Sequence, residues 1–229
     1  SPDLTVEDLL GDIDPIKAMS FGPLSVEAFT PGKLFRANNG VLFFDEINRA
    51  PEKLQNALLQ VLEEGKITLG SYDVDFEARF ILIATMNPTD SNTEKLSDVL
   101  LDRFDVIQMG YPETAELEMQ IVREHKISLP DDVLHFAVSF VRSLRADKDL
   151  EKVPGVRATL AWVERAHTNA HIEKRIAGFN DLKSTAVSVL AHRISLKPRL
   201  KYLRATDEYI REKFAAFAKE SKHKDGDCL

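Results

Sequence analysis

Two adjacent acidic residues at the end of an apolar run are the strongest candidates for chemistry in this chain. Residues 40–44 read Gly-Val-Leu-Phe-Phe and lead directly into Asp45 and Glu46. A continuous apolar run is typical of a parallel strand that is buried on both faces. Nucleotide hydrolysis uses carboxylates placed in this way, because one helps to hold Mg²⁺ and the next activates the attacking water. The alternative is that the two acids only open a helix, whose first turn favours negative charge.

A second apolar run, residues 80–85, ends shortly before Asn87. If this run is a strand beside the first one, the amide of Asn87 lies near Glu46 and can position the same water. The alternative is that Asn87 and Pro88 simply start a loop, as Asn-Pro pairs often do.

Three arginines are candidates for binding phosphate. Arg103 follows a short predicted helix, where it either pairs with Asp102 or Asp105 or reaches the phosphates of a neighbouring subunit. Arg157 lies at the start of a predicted helix, where a cation opposes the helix dipole unless an anion binds there; a solvated arginine is the alternative. Arg49 either contacts a phosphate at a subunit interface or caps a strand–helix turn.

Composition excludes several other classes of protein. The chain has 229 residues, 44% of them hydrophobic, and a net charge of −7, which argues against a protein that mainly coats nucleic acid. No apolar run approaches the ~20 residues that cross a bilayer, so we expect a cytoplasmic protein without a membrane partner. The single cysteine, Cys228, and a His167–His171 pair four residues apart provide no convincing metal site.

The elements that position these residues fall into two predicted domains. Residues 1–112 are predicted to be α/β and residues 113–229 all-α, with no strand in the second part. In the first part we expect a parallel sheet from strands at 41–45, 80–85 and 106–109. Helices are predicted at 1–11, 51–64 and 93–101. A hairpin is predicted at 66–78, with its turn at Gly70-Ser71, and residues 21–29 are predicted to form either a small hairpin or an irregular insertion. In the second part, helices are predicted at 113–126, 131–146, 157–175, 181–193 and 206–222.

Four motifs in this order resemble those of an AAA+ ATPase of the MoxR / magnesium-chelatase I-subunit clade. Residues 41–48 resemble Walker B, 84–88 sensor 1, 101–104 the arginine-finger segment and 154–159 the sensor 2 region. Two further segments point to this clade: residues 29–34 look like the end of a helix-2 insert, and 181–194 resemble the closing helix of a MoxR-type lid. The similarity extends over nearly the whole chain, to about residue 198.

The resemblance implies a parallel-sheet AAA+ core followed by a helical lid, with ATP and Mg²⁺ as cofactors. Asp45 would order Mg²⁺ through water, Glu46 would activate the attacking water and Asn87 would position it. Arg103 would act on a neighbouring subunit, and Arg157 would sense the γ-phosphate of its own or an adjacent site. The family further implies a ring, most often a hexamer, that drives protein remodelling or metal insertion, in some cases with a von Willebrand A domain partner. The insert at 13–31 and the hairpin at 66–78 would move with nucleotide state.

The chain departs from the family pattern in one respect, because it has no Walker A sequence of the form Gly-x-x-x-x-Gly-Lys-Ser/Thr. Gly32-Lys33-Leu34 lacks the hydroxyl residue and the preceding glycines. We expect the phosphate-binding loop to lie in an upstream segment, and this chain to be inactive alone. Two alternatives stay open. One is a non-hydrolytic scaffold without Walker A. The other is a DNA-handling AAA+ protein, which the acidic hairpin disfavours.

Overall fold

The computed structural model describes residues 4–69, 74–87 and 96–224, and these form two compact units that divide between Ile107 and Gln108. This division lies a few residues before the boundary expected at Pro112. Each unit has a hydrophobic core of its own.

The N-terminal unit combines short helices with paired strands. Its helices are α1 (Val6–Leu10), α2 (Pro15–Phe21), α3 (Lys33–Ala37), α4 (Glu52–Glu64) and α5 (Asp98–Leu101). Its strands are β1 (Gly11–Ile13), β2 (Phe29–Pro31), β3 (Gly40–Phe44), β4 (Lys66–Leu69), β5 (Val74–Glu77) and β6 (Phe80–Ala84). Strands β3 and β6 pair in parallel, which confirms the predicted parallel sheet. Strands β4 and β5 form the predicted antiparallel hairpin, whose turn at 70–71 lies outside the described residues.

Helix α4 follows the predicted bounds and packs one face against the core of this unit. It ends at Gly65, whose φ of +63° is a left-handed conformation that glycine adopts at low cost. Its buried residues are Leu54, Gln55, Leu58 and Val61. Leu59 and Leu62 are partly buried and pack against the same core. Gln55 is accommodated because its amide donates to the Ala50 carbonyl at 2.9 Å.

The prediction that β3 and β6 are buried on both faces is wrong. Phe44 packs into the core, but four apolar side chains on the other face are largely exposed: Val41 56%, Phe43 61%, Ile81 65% and Ile83 49%. They are neighbours because Val41 pairs with Ile81 and Phe43 with Ile83. Successive side chains of a strand alternate between faces, so covering only one face of the described two-stranded sheet leaves every second residue in solvent.

Three further local predictions for this unit can be compared with the structure. The insertion at 21–29 takes the irregular form, with a 3-10 turn at Val26–Ala28, and is enclosed with α2 between the paired strands β1 and β2. Helix α5 begins at Asp98, where Ser97 caps it by accepting the Leu100 N–H at 3.2 Å, whereas positions 93–95 of the predicted helix lie outside the described residues. Residues 106–109 form no strand in the described chain, and they leave Val106 and Met109 exposed.

The C-terminal unit is helical, as predicted. Its helices are α6 (Ala115–Glu124), α7 (Asp131–Arg145), α8 (Val156–Ile172), α9 (Phe179–Leu190), α10 (Pro198–Lys201) and α11 (Thr206–Lys224). A short antiparallel ribbon of β7 (Leu150–Lys152) and β8 (Ser195–Leu196) was not predicted. Trp162 and Phe140 lie at the centre of the core, fully buried with ring centroids 5.5 Å apart. Among the described helices, none combines the length and apolar character that a membrane crossing requires.

Candidate functional site

The pairing of β3 with β6 brings the candidate acidic residues and the second motif to one edge of the sheet. Because the strands are parallel and Phe44 is opposite Ala84, their carboxyl ends meet. The contact continues past both strands, since Thr85 N–H donates to the Phe44 carbonyl and Ile47 N–H to the Thr85 carbonyl, each at 3.0 Å. Asp45, Glu46 and residues 85–87 therefore share this edge, as the sequence predicted.

The side chain of Thr85 links the two acidic residues. Its hydroxyl donates to Asp45 Oδ1 at 2.5 Å and accepts the backbone N–H of Glu46 at 3.0 Å. One hydroxyl thus orients the carboxylate of Asp45 and fixes the main chain from which Glu46 projects. Sequence reasoning included Thr85 in the second motif but assigned it no role. The sequence does contain a signal for this role, because Thr85 is a hydroxyl residue directly after β6, and β6 pairs with the strand that leads into Asp45 and Glu46.

Glu46 has a left-handed backbone, with φ +54° and ψ +51°, ahead of a 3-10 turn at Ile47–Arg49. This conformation costs a residue other than glycine roughly 1–2 kcal/mol, and such strain concentrates at functional sites. The Glu46 side chain is 45% exposed, and its carboxylate lies 3.2 Å from the guanidinium of Arg49. Arg49 thus forms an ion pair with the candidate catalytic acid in this structure.

Asn87 is held at the same edge through its main chain. Asn48, which is buried, donates from its side-chain amide to the Asn87 carbonyl at 3.1 Å. The Asn87 side chain itself is exposed. Within the described residues the side-chain oxygen of Asn48 accepts no hydrogen bond, so a buried acceptor without a hydrogen bond lies next to Asn87. Sequence reasoning did not single out Asn48.

A cavity of about 380 Å³ adjoins Asp45, and its polar lining consists of Asp8, Lys33 and Asp45. Asp8 has a structural role, because it forms a capping box with Thr5 at the start of α1. The hydrogen bonds that its carboxylate accepts from the N–H and the hydroxyl of Thr5 hold the pKa of Asp8 below its ordinary value. The exposed Asp45 carboxylate has no such capping role.

The donors at this edge fit a magnesium ion carried by a phosphate ligand. Mg²⁺ prefers oxygen ligands and is usually held by one or two carboxylates together with substrate phosphates and water. Asp45 and Glu46 supply carboxylates of this kind. The described residues contain no group of three or more His, Cys, Asp or Glu side chains that could enclose a metal alone.

Arg103 makes its contacts away from this edge. Its guanidinium donates to the Val99 carbonyl at 2.7 Å and forms an ion pair with Glu63 of α4. The local pairing with Asp102 or Asp105 that the sequence left open is replaced by this longer-range pair. About a third of the Arg103 side chain is exposed, so the pair is accessible to solvent.

Arg157 lies in the C-terminal unit as the second residue of α8, after the cap residue Gly155. Its side chain is exposed. Within the part of the chain that the structure describes, it has no hydrogen-bond or ion-pair partner. A cation at a helix N-terminus opposes the dipole, so this position gains nothing from the helix itself.

Known proteins share both the sequence pattern and the fold. Residues 1–106 match the family described as "ATPase family associated with various cellular activities (AAA)". The chain is 34% identical over 166 residues to the chloroplastic magnesium-chelatase subunit ChlI of Oryza sativa, covering 71% of this chain and 38% of that protein. It is 25% identical over 232 residues to the magnesium-chelatase 38 kDa subunit of Cereibacter sphaeroides, covering 85% of this chain and 66% of that protein.

Structural comparison gives the same fold. The crystal structure of NtrX from Brucella abortus in complex with ADP matches with a TM-score of 0.51 and 16% identity, over 94% of this chain and 47% of that one. The chain spans only part of these relatives, and 38% of the rice subunit. The expected α/β core with a helical C-terminal region is therefore confirmed. Residues 1–106 belong to the AAA+ ATPase family, and the chain is similar to magnesium-chelatase I subunits over 71% to 85% of its length.

Proposed function

We propose that this chain is part of a Mg²⁺-dependent ATPase that hydrolyses ATP at the edge formed by Asp45, Glu46 and Asn87. The observation that carries the proposal is the hydroxyl of Thr85, which orders Asp45 and the backbone of Glu46 together. A chain that used these acids only to open a helix would not need a strained Glu46 held from the neighbouring strand. Family membership supports the same activity.

Each residue at the edge has a distinct role in this proposal. Asp45 helps to order the cation through water, and the half-exposed carboxylate of Glu46 accepts a proton from the attacking water. Asn87 positions that water. Mg²⁺, when bound with ATP, neutralises charge on the phosphates. Arg49 lies beside Glu46, with a guanidinium nitrogen 3.2 Å from its carboxylate, and restricts the directions in which that carboxylate can point.

Two arginines outside the edge complete the proposed site in a ring of subunits. Arg103 would leave the solvent-accessible pair with Glu63 and act on the phosphates of a neighbouring subunit. Arg157, exposed and without a partner in the described residues, would bind the γ-phosphate of its own or an adjacent site. We propose a hexameric ring for this arrangement. The Gly-x-x-x-x-Gly-Lys-Ser/Thr loop would come from an upstream segment of a longer protein, and residues 1–229 alone would not hydrolyse ATP.

The work driven by this ATPase is proposed to be metal insertion or protein remodelling, with a von Willebrand A domain protein as partner. The relation to magnesium-chelatase I subunits supports this class. DNA is a poor candidate for the substrate, because the basic residues around the hairpin are paired with acids. Lys66 lies 3.3 Å from Asp75, and Arg79 lies 3.4 Å from Glu77. Such pairs leave little positive charge for phosphates of a nucleic acid.

The test is a Glu46→Gln variant of the full-length protein. We expect it to keep its affinity for ATP while turnover falls by roughly 10²- to 10⁴-fold, because the amide cannot accept the proton. Glu52→Gln, an exposed change on the first turn of α4, is the matched control and should leave turnover unchanged. Near-normal hydrolysis by Glu46→Gln would refute the role of Glu46. A parent protein that binds but never hydrolyses ATP would instead favour the scaffold alternative.

A further inference from the structure

A fully buried carboxylate lies in the C-terminal unit, outside the proposed site. Glu118 of α6 has no exposed surface. Its two oxygens accept hydrogen bonds from the guanidinium of Arg145 at 2.6 and 2.7 Å, and one of them also accepts from the hydroxyl of Thr159 at 2.6 Å. Arg142 adds positive charge, with a nitrogen 3.7 Å from the carboxylate. The carboxylate is therefore satisfied by several short contacts from two helices.

Arg145 extends this network to the loop before α8. Its Nε donates to the Pro154 carbonyl at 2.8 Å, and its guanidinium lies 4.8 Å from the centre of the Tyr111 ring. Its side chain is only 8% exposed. Thr159, the other partner of Glu118, is fully buried in the first turn of α8. The network thus holds both sides of the short segment that presents Arg157.

The neighbouring turn of α7 holds the segment that follows the division between the units. Arg142 donates to the Pro112 carbonyl and the Glu113 carbonyl, each at 2.7 Å, and to the Thr114 carbonyl at 3.3 Å. Arg142 and Arg145 are one turn apart, so one stretch of α7 ties residues 111–114 to the start of α8.

Stability alone does not account for this arrangement. A buried ion pair can usually be replaced by apolar residues of similar volume without loss, whereas removing one partner is strongly destabilising. What a bidentate pair provides beyond stability is a fixed geometry. Here that geometry is imposed on Pro154 and Thr159, which flank an exposed arginine without a partner in the described residues.

We propose that Glu118, Arg145 and Thr159 are positioning residues that set the orientation of Arg157 towards a nucleotide phosphate. The inference rests on the phosphate-binding role of Arg157 in the proposed function. Arg142 contacts Glu118 and also donates hydrogen bonds to the carbonyls of residues 112–114. The same network therefore connects the first turn of α8, where Arg157 would bind phosphate, to the segment that follows the division between the units.

The test compares Thr159→Val with Thr159→Ser in the full-length protein, with ATP and Mg²⁺ as the ligand. Valine has nearly the shape of threonine but lacks the hydroxyl that contacts Glu118, whereas serine keeps it. We expect Thr159→Val to raise the KM for ATP about tenfold with a smaller change in kcat, because a small misplacement of a binding group is costly. Thr159→Ser should stay close to the parent. Arg145→Lys, which keeps the charge but not the bidentate geometry, is the second variant if Thr159→Val does not fold.

A double-mutant cycle with Arg157→Ala separates the possible results. If the network acts through Arg157, Thr159→Val should change KM less than about twofold once Arg157 is removed. The positioning role would be overturned if Thr159→Val changed KM equally in the presence and absence of Arg157, or if neither Thr159→Val nor Arg145→Lys changed KM. Either result would leave the phosphate-binding role of Arg157 intact. If Arg157→Ala itself leaves KM unchanged, the role of Arg157 in the proposed function fails, and the positioning role fails with it.

Discussion

Replacing Thr85 by valine should separate the stability of the N-terminal unit from its activity. The change removes two hydrogen bonds, the one to Asp45 and the one from the backbone of Glu46. Each is worth about 0.5–1.5 kcal/mol net, and both groups are exposed, so water replaces part of the loss. We therefore expect the free energy of unfolding to fall by about 1 kcal/mol, which lowers Tm by about 2–4 °C for a protein of roughly 200 residues or more.

Activity should fall much further than stability. The left-handed backbone of Glu46 is unfavourable for a glutamate, and the Thr85 hydroxyl is the side-chain contact that holds it. Without that contact the carboxylate moves, and a misplacement of about 1 Å costs on the order of 10²-fold in rate. Thr85→Val should thus lower kcat by roughly 10- to 100-fold with little change in KM. Thr85→Ser keeps the hydroxyl and should recover most of the rate.

The assay is phosphate release by the full-length protein at saturating ATP, with thermal unfolding measured on the same samples. The reasoning is refuted if Thr85→Val turns over at the parental rate while its Tm falls as expected. Equal losses in the valine and serine variants would also refute it, because they would indicate a need for the threonine methyl group rather than for the hydroxyl.

Two further predictions concern arginine–acid pairs. Arg103→Ala should abolish turnover in the assembled ring but leave the affinity for ATP intact. Glu63→Ala, which removes the partner of Arg103, should keep turnover. Similar losses of turnover in both variants would indicate that the ion pair has only a structural role. Two hydrogen bonds from Arg175 lower the pKa of the buried Asp181 carboxylate in the folded protein. The ionised carboxylate therefore stabilises the fold at any pH above the ordinary pKa of aspartate, and this stabilisation is lost as the pH falls through the lowered pKa of the folded state. In urea unfolding, Asp181→Asn should cost roughly 1–2 kcal/mol at pH 7 and progressively less below about pH 4, and a constant difference would contradict this.

Elements with a strong local pattern could be predicted from the sequence. The helices α7 and α8 carry apolar residues at helical spacing, and the two runs that became β3 and β6 are rich in apolar and β-branched residues. The edge of the site followed from these strands, because parallel pairing places the residues after each strand together. The sequence alone therefore predicts that Asp45, Glu46 and Asn87 lie close together.

Features that depend on long-range contacts could not be predicted in this way. The Thr85 hydroxyl reaches a residue 40 positions earlier, and Arg103 pairs with Glu63 at the same separation. The ribbon of β7 and β8 is too short to show an alternating pattern. The left-handed conformation of Glu46 leaves no trace in residue type, since glycine or asparagine would be expected there.

Burial distinguishes the arginines that can bind a ligand from those that cannot. Arg145 is almost fully buried on a buried carboxylate, so breaking that pair would leave an unpaired charge in the core. The pairs of Arg49 with Glu46 and of Arg103 with Glu63 are solvent-exposed, and such pairs contribute at most about 1 kcal/mol. A phosphate group carries more charge than one carboxylate and can displace these weak partners at little cost. The exposed arginines are therefore suited to exchange partners in the proposed nucleotide cycle, whereas the buried pair would keep Arg145 in one geometry.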